Sequence, residues 1–466
     1  MNLLEIFKNT HLKRVNIYIF ESMLPRFGAF LFLPILLRFV NPEIWAEIVL
    51  MIAISEILSK IYLFGFQSSI FRFAKELDDN QKNYIFFKLV KRVFTASILF
   101  LIIFELTNSY FWNIFFIFEY GLPLRSALLI SCFSSINLFF IQYIKSLQLS
   151  RKLFIGSLFY TLSNLFLQFS SIFYIASNYG KSDRMIVTAY LASLGISSLI
   201  RTVYYLKILK ISFFEQKAKI DISKFYNFAR PAAGIAFVAI IISHGSKLII
   251  QNTINLEIVG KYFSYLSYAS IIFVIFAATQ EYFSPTLYKL NTKQTLGFRI
   301  ITLYFWTFGT IIYLTIFNKF SFLFIPEMYS ISNTIYLLIF HIQIASILRS
   351  IVGVFYEINE CLRQKFLLLL FWSILFLFYI PMINNLESFL NVYLLFFVLL
   401  GNSLIIYSKE YRVTLHFNFL HALIYILFTQ TGLLLVNWGI IMLMIIIFFS
   451  FGFFILNRFE KLRRLT

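Results

Sequence analysis

Two cysteines, four aspartates and eight prolines in 466 residues leave little material for several kinds of chemistry. Cys132 and Cys361 lie in or beside apolar runs, so neither a disulfide framework nor a thiolate metal site can be assembled. The aspartates, Asp78, Asp79, Asp183 and Asp221, all sit in polar connecting stretches. No HExxH and no P-loop occurs, and the 16 glycines are scattered instead of gathered into a phosphate-binding loop. Neither a zinc hydrolase nor an ATP-driven pump is encoded, and no cofactor is implied. Charge is scarce as well: 13 % of residues are Asp, Glu, Lys or Arg, against about 25 % in a typical soluble domain. The stretch Met1–Arg14 has no small-residue cleavage site after a short apolar core, so no cleaved signal peptide is expected.

What the chain has in abundance is apolar surface. Sixty per cent of its residues are hydrophobic and the mean hydropathy is +0.81. A soluble core cannot absorb so much, and the surplus must face lipid. A spanning helix needs roughly 20 mostly apolar residues. On that rule the expected fold is an all-α integral membrane protein with about 14 transmembrane helices. The spans fall near 15–40, 44–66, 90–107, 122–144, 154–177, 185–206, 231–251, 261–283, 300–324, 333–356, 366–383, 388–407, 414–435 and 438–457.

The formal net charge of +19 raises the question of nucleic acid, and the distribution of the 40 Lys and Arg answers it. Most fall in the two termini and in alternate connections, on one side of the bilayer. Only Arg125, Lys181, Arg184, Lys261 and Lys319 count to the other side, in its connections or in the span segments that border them. That asymmetry is the positive-inside rule, so both termini are expected to be cytoplasmic. Charge spread over inner loops makes no nucleic-acid patch.

The longest inner connection, residues 207–230, is basic and nearly central. It is read as the linker between an N-terminal lobe (1–206) and a second half comprising 231–383 and 384–466. An internal repeat supports this plan. Glu43-Ile44-Trp45-Ala46-Glu47-Ile48 recurs as Glu257-Ile258-Val259-Gly260-Lys261-Tyr262 at an offset of 214, and Gln67 recurs as Gln280 at 213. Pro25 and Pro231 are each followed three residues later by glycine (Gly28, Gly234). Six spans per repeat keeps both copies in one orientation: two six-helix lobes as parallel repeats, followed by two C-terminal helices. In secondary transporters built this way the substrate site lies between repeats near the midplane.

Charges inside spans are the main functional pointers, because each costs roughly 2.5–3.5 kcal/mol at a helix centre. Arg26 lies 11 residues into span one, about 16 Å deep at 1.5 Å per residue, and should face a cavity or a partner such as Glu21 or Glu56. Lys247 and Arg349 lie off centre on opposite sides of the midplane. These three bases are the candidate substrate contacts. Arg38, Lys60 and Arg201 lie nearer the span ends, where long basic side chains snorkel to the headgroups. Glu56 and Lys60 have the i, i+4 spacing of a helix pair. Glu21, Glu56 and Glu357 are the candidate ion-coupling acids. His244 and His341 read as hydrogen-bonded packing residues.

Two groups of segments point to a family. The run PRFGAFLFLPILLRFVNPEIWAEIVL, followed by LFGFQSSIFRFAKE, resembles the opening helices of polysaccharide (O-antigen type) flippases. These belong to the multidrug/oligosaccharidyl-lipid/polysaccharide (MOP) exporter superfamily. FARPAAGIAFVAIIISHGSKLIIQ, EIVGKYFSYLSYA and YFSPTLYK resemble the seventh and eighth helices of the same family. The resemblance covers most of the first 290 residues and rests beyond them on hydropathy and span count. It has departures: Ala46 stands where the family usually has glycine, and Ser246 precedes Lys247 where an acid is common.

The resemblance implies a flippase that moves an undecaprenyl-pyrophosphate-linked oligosaccharide from the inner to the outer leaflet of a bacterial inner membrane. The chain would then be no enzyme; its partners would be that substrate, membrane lipids, and glycan polymerase and assembly proteins. In-span bases such as Arg26 would hold the diphosphate, since charge-assisted contacts are strongest where water is scarce. Other readings remain open: a multidrug antiporter of the superfamily, a lipid II flippase, and a membrane glycan polymerase. The first normally has twelve spans and buried acids, the second shares the lipid carrier, and the third usually carries a large external loop.

Overall fold

The computed structural model describes residues 10–106, 121–147, 149–178, 183–211, 222–240, 247, 254–276, 292–358, 362–379, 385–407 and 416–421. They are helical apart from short connections, with no strand among them. Two compact units divide between Phe263 and Ser264.

In the first unit, α1 (Thr10–Phe39) carries Pro25 and Pro34 within its length. The next helix, α2 (Pro42–Leu63), starts for a local reason: the Asn41 side chain accepts from the Ile44 N–H at 2.9 Å, and Pro42 occupies a position that needs no N–H. It ends where Phe64 (φ 43°) and Gly65 (φ 75°) both turn left-handed, and the chain bends by 58° into α3 (Phe66–Phe73). Then come α4 (Asp79–Leu106), α5 (Gly121–Ser146), α6 (Ser150–Asn178), α7 (Asp183–Ile208) and α8 (Ile222–Ile240), and α9 (Leu256–Ala269) begins in this unit and ends in the second. The core of the unit is made where α7 packs on α5 and α6, α1 on α6, and α2 on α5.

Gly65 is required twice over. Its φ disfavours any side chain, and a Cβ there would overlap the Ala229 carbonyl oxygen and lie 2.7 Å from the Ala233 nitrogen. The break after α2 is thus the seat on which α8 packs. The first compact unit accordingly runs past the 207–230 connection, where the sequence places the lobe boundary, because α8 rests on α2 and α3.

The start of α9 repeats the start of α2. Asn255 accepts from the Glu257 N–H at 2.9 Å, as Asn41 does from Ile44, and the two asparagines are 214 positions apart. This is the offset of the sequence repeat, which therefore begins with its capping residue. Gly260, the counterpart of Ala46, lies against α2 itself: a Cβ there would overlap the Pro42 carbonyl oxygen.

The second unit contains α10 (Thr292–Phe324), α11 (Asn333–Ile358), α12 (Leu362–Tyr379) and α13 (Leu386–Tyr407). Here α11 packs on α10 and α13, and Phe376, Phe389, Tyr393 and Phe396 form an aromatic cluster between α12 and α13.

Six described helices are long and apolar enough to cross a bilayer: Leu124–Ser146, Arg151–Ile175, Met185–Ile208, Leu256–Phe276, Thr334–Ile351 and Leu386–Leu404. The bent pair α2–α3 makes a seventh if counted as one span. The outward face of α6 is apolar, with Leu162, Phe166 and Phe173 each more than half exposed, as a lipid-facing helix requires. The chain is an all-α integral membrane protein. Most of 414–435 and all of 438–457 fall outside the described residues.

Candidate functional site

The densest polar cluster among the described residues lies inside the first unit, where α1, α5, α6 and α7 meet. Its centre is Glu21 on α1, only 3 % exposed. Arg201 of α7 approaches Glu21 Oε1 to 3.4 Å through Nη2, and Lys145 of α5 approaches Oε2 to 4.0 Å. Ser157 of α6 links the two charges: its hydroxyl donates to Glu21 at 3.1 Å and accepts from Arg201 Nη2 at 2.6 Å. Arg201 Nε donates to the Tyr205 hydroxyl at 3.1 Å, and the guanidinium lies 5.5 Å from the ring centres of both Tyr160 and Tyr205.

Burial explains why so many partners converge. A charge removed from water costs several kcal/mol unless ion pairs and hydrogen bonds replace its hydration. Arg201 receives an acid, two hydroxyls and two aromatic faces. The network continues along α5 and α7: the Asn137 amide donates to the Ser198 carbonyl at 2.8 Å, and the Thr202 hydroxyl donates to Asn137 at 3.2 Å.

This corrects one expectation from the sequence. Arg201 does not reach for headgroups; its side chain is 8 % exposed and turned into the helix bundle. Lys145, which sequence reading assigned to a wetted connection, is 8 % exposed too. The signal that finds Arg201 is a polar stripe on an otherwise apolar span. Ser193, Ser197, Arg201 and Tyr205 recur every fourth residue, with Ser198 and Thr202 beside them, and all six are buried.

The other residues singled out in the sequence are placed as follows. Arg26 lies within α1, but its side chain is outside the described residues, as is that of Glu357 in α11. Glu56 is exposed on α2. Lys247 is half-buried, with Nζ 5.7 Å from the Phe263 ring centre. Arg349 on α11 is half-buried over the Phe397 ring at 5.1 Å, and its Nε is buried with no hydrogen-bond partner among the described residues. His341 meets His421, Nε2 to Nδ1 at 3.3 Å, both buried; His244 lies outside the described residues. The structure brings Glu21 together with Arg201 and Lys145, while Arg349 and the histidine pair stand elsewhere, in the second unit.

No protein-family model matches the chain, and no curated protein matches it. Solved structures do share its fold. One described as the inward-facing conformation of a multidrug resistance MATE family transporter of the MOP superfamily superposes with a TM-score of 0.62 at 9 % identity, covering 87 % of this chain and 98 % of that one. The outward-facing conformation of such a transporter gives 0.59 at 10 % identity, covering 87 % and 96 %. A chain described only as protein A gives 0.60 at 14 % identity, covering 92 % and 97 %. The chain has the fold of the MATE transporters of the MOP superfamily.

Proposed function

We propose that this protein is a transporter of the MOP type that moves a lipid-linked oligosaccharide carrying a diphosphate across the bacterial inner membrane by alternating access. Undecaprenyl-pyrophosphate-linked repeat units of O-antigen or capsule are the substrate class. The single observation that carries this reading is the commitment of bases to apolar helices. Arg201 and Lys145 share Glu21 inside the first unit, and Arg349, in an apolar span of the second, has a buried Nε without a hydrogen-bond partner among the described residues. A guanidinium held without its full complement of acceptors is suited to an anionic cargo, because phosphate oxygens supply them. Arg26 and Lys247 complete the set of bases we assign to the diphosphate.

The loop-charge asymmetry supports the reading that both termini are cytoplasmic. Among the candidate coupling acids, Glu21 is buried between two bases and Glu56 is exposed on α2. Glu357 is the third candidate.

One second reading has an observation in its favour: two of the fold neighbours are described as multidrug resistance transporters. A single experiment separates the two. In cells lacking the gene, undecaprenyl-pyrophosphate-linked oligosaccharide is extracted and quantified on each face of the inner membrane. Accumulation on the cytoplasmic face with loss of surface glycan is the expected result. Unchanged lipid intermediates together with new drug sensitivity would overturn the flippase reading and establish the antiporter.

A further inference from the structure

A cavity of about 60 Å³ lies at the polar end of α4, lined by Tyr84, Lys88 and Arg92 of α4, Phe66 of α3, and Phe225 and Tyr226 of α8. Lys88 and Arg92 are one helical turn apart and therefore share a face of α4. Like charges at that spacing are mildly destabilising, so the arrangement calls for an anion.

Among the described residues the nearby acids are already engaged: Glu76 holds Lys224 at 2.6 Å, Asp79 is ion-paired with Lys82, and Asp78 accepts from the Gln81 N–H at 2.7 Å. What faces the two bases is aromatic. Lys88 Nζ lies 4.5 Å from the Tyr84 ring centre, and the Arg92 guanidinium lies 5.4 Å and 5.5 Å from those of Phe64 and Phe66. A guanidinium stacked through its face still presents N–H donors at its edge, in the geometry that matches a phosphate.

The level of the cavity identifies the source of the anion. Beyond Arg92, α4 turns apolar and outward: Phe94, Ile98, Leu99, Ile102 and Ile103 are all between 42 % and 54 % exposed. Lys88 lies about 9 Å before Phe94 along the helix axis. The bases thus sit at the edge of a lipid-facing band, with Tyr84 and half-open Tyr226 at the same end, where aromatic residues mark the membrane interface. Basic pockets between helices at this level take anionic lipid headgroups.

We infer that the cavity between α3, α4 and α8 binds the phosphate of an anionic membrane phospholipid, held by Lys88 and Arg92, with its acyl chains along the exposed face of α4. Lys88 and Arg92 are not among the bases assigned to transport. It joins α4 to α8 beside the 58° bend after α2, where Phe66 packs edge-on against Tyr226 at 4.8 Å.

The test is native mass spectrometry of the purified full-length chain in mild detergent with equal phosphatidylglycerol and phosphatidylcholine. The double variant Lys88→Gln/Arg92→Gln is measured beside the wild type. A charge-keeping pair, Lys88→Arg/Arg92→Lys, and Arg151→Ala, an exposed base outside the cavity, serve as controls. The wild type and both controls should retain a bound phosphatidylglycerol. The Gln pair should lose affinity for it by about 30-fold, the effect of two bases at an anionic surface, with phosphatidylcholine unchanged. Equal phosphatidylglycerol retention by the Gln pair would overturn the assignment. Loss in the charge-keeping pair as well would assign the effect to folding and overturn it too. Displacement of phosphatidylglycerol by millimolar inorganic phosphate would make this a free-phosphate site and refute the lipid.

Discussion

The buried network around Glu21 permits a prediction in which the order of effects says more than any single value. Glu21 is shared by two bases, so its removal leaves Arg201 and Lys145 without the acid they both approach. Removing one partner of a buried pair costs about 3–5 kcal/mol. We expect Glu21→Gln to sit at the upper end, since two buried charges then lose the acid they share. Arg201→Ala should cost less, because Lys145, 4.0 Å away, remains to close on the carboxylate. Lys145→Ala should cost least, since Arg201 already has the shorter contact and the Ser157 bridge.

The magnitude converts to a temperature. At about 2.1 cal/mol/K of unfolding entropy per residue, a unit the size of Met1–Phe263 shifts its midpoint by roughly 2 °C per kcal/mol. Glu21→Gln, at about 5 kcal/mol, should therefore lower the apparent Tm by about 10 °C, read as the fraction of protein still monodisperse on size-exclusion after heating in detergent. The double variant Glu21→Gln/Arg201→Gln should be more stable than Glu21→Gln alone, because it removes one of the two opposed bases. An Arg201→Ala loss larger than that of Glu21→Gln, or a double variant worse than the sum of its singles, would refute the shared-acid arrangement.

Other outcomes follow from local geometry. Gly260→Ala forces a methyl into the Pro42 carbonyl and Gly65→Ala adds a left-handed penalty to an overlap with Ala229; each should cost at least the 1–3 kcal/mol of an overpacked core, whereas Gly195→Ala, with only Ile130 at 3.6 Å, should be silent in the same melting assay. Asn41→Ala and Asn255→Ala should each cost about 1 kcal/mol, with Ser at either position retaining most of it, as equivalent helix caps would. Arg26→Ala should abolish transport of the lipid-linked glycan while leaving membrane-inserted protein at wild-type abundance; retained transport at normal abundance would remove Arg26 from the mechanism.

What the sequence made legible and what it hid divide along a physical line. Spans are written in a run of consecutive residues, so hydropathy places the helices at 124–146, 185–208 and 386–404 to within a few positions. The repeat is legible for a similar reason. Helix starts are local events, and the capping asparagines at 41 and 255 mark the offset that the following residues share. The buried network is a different kind of fact. Glu21 and Arg201 stand 180 positions apart, and nothing within either helix names the other. Depth alone misleads here: a base five residues from the expected end of its span looks free to snorkel. The α7 stripe of Ser193, Ser197, Arg201 and Tyr205 carries the missing information, since a helix facing lipid on that side would have no reason to place hydroxyls every fourth residue. Intramembrane bases are therefore better judged by the polarity of the face they share than by their distance from the helix end. By that criterion Arg349 differs in kind from Arg201. Its guanidinium lies 5.1 Å from the Phe397 ring centre with no ion-paired acid among the described residues, and its buried Nε has no hydrogen-bond partner among them, a demand that the phosphate of the proposed cargo would meet.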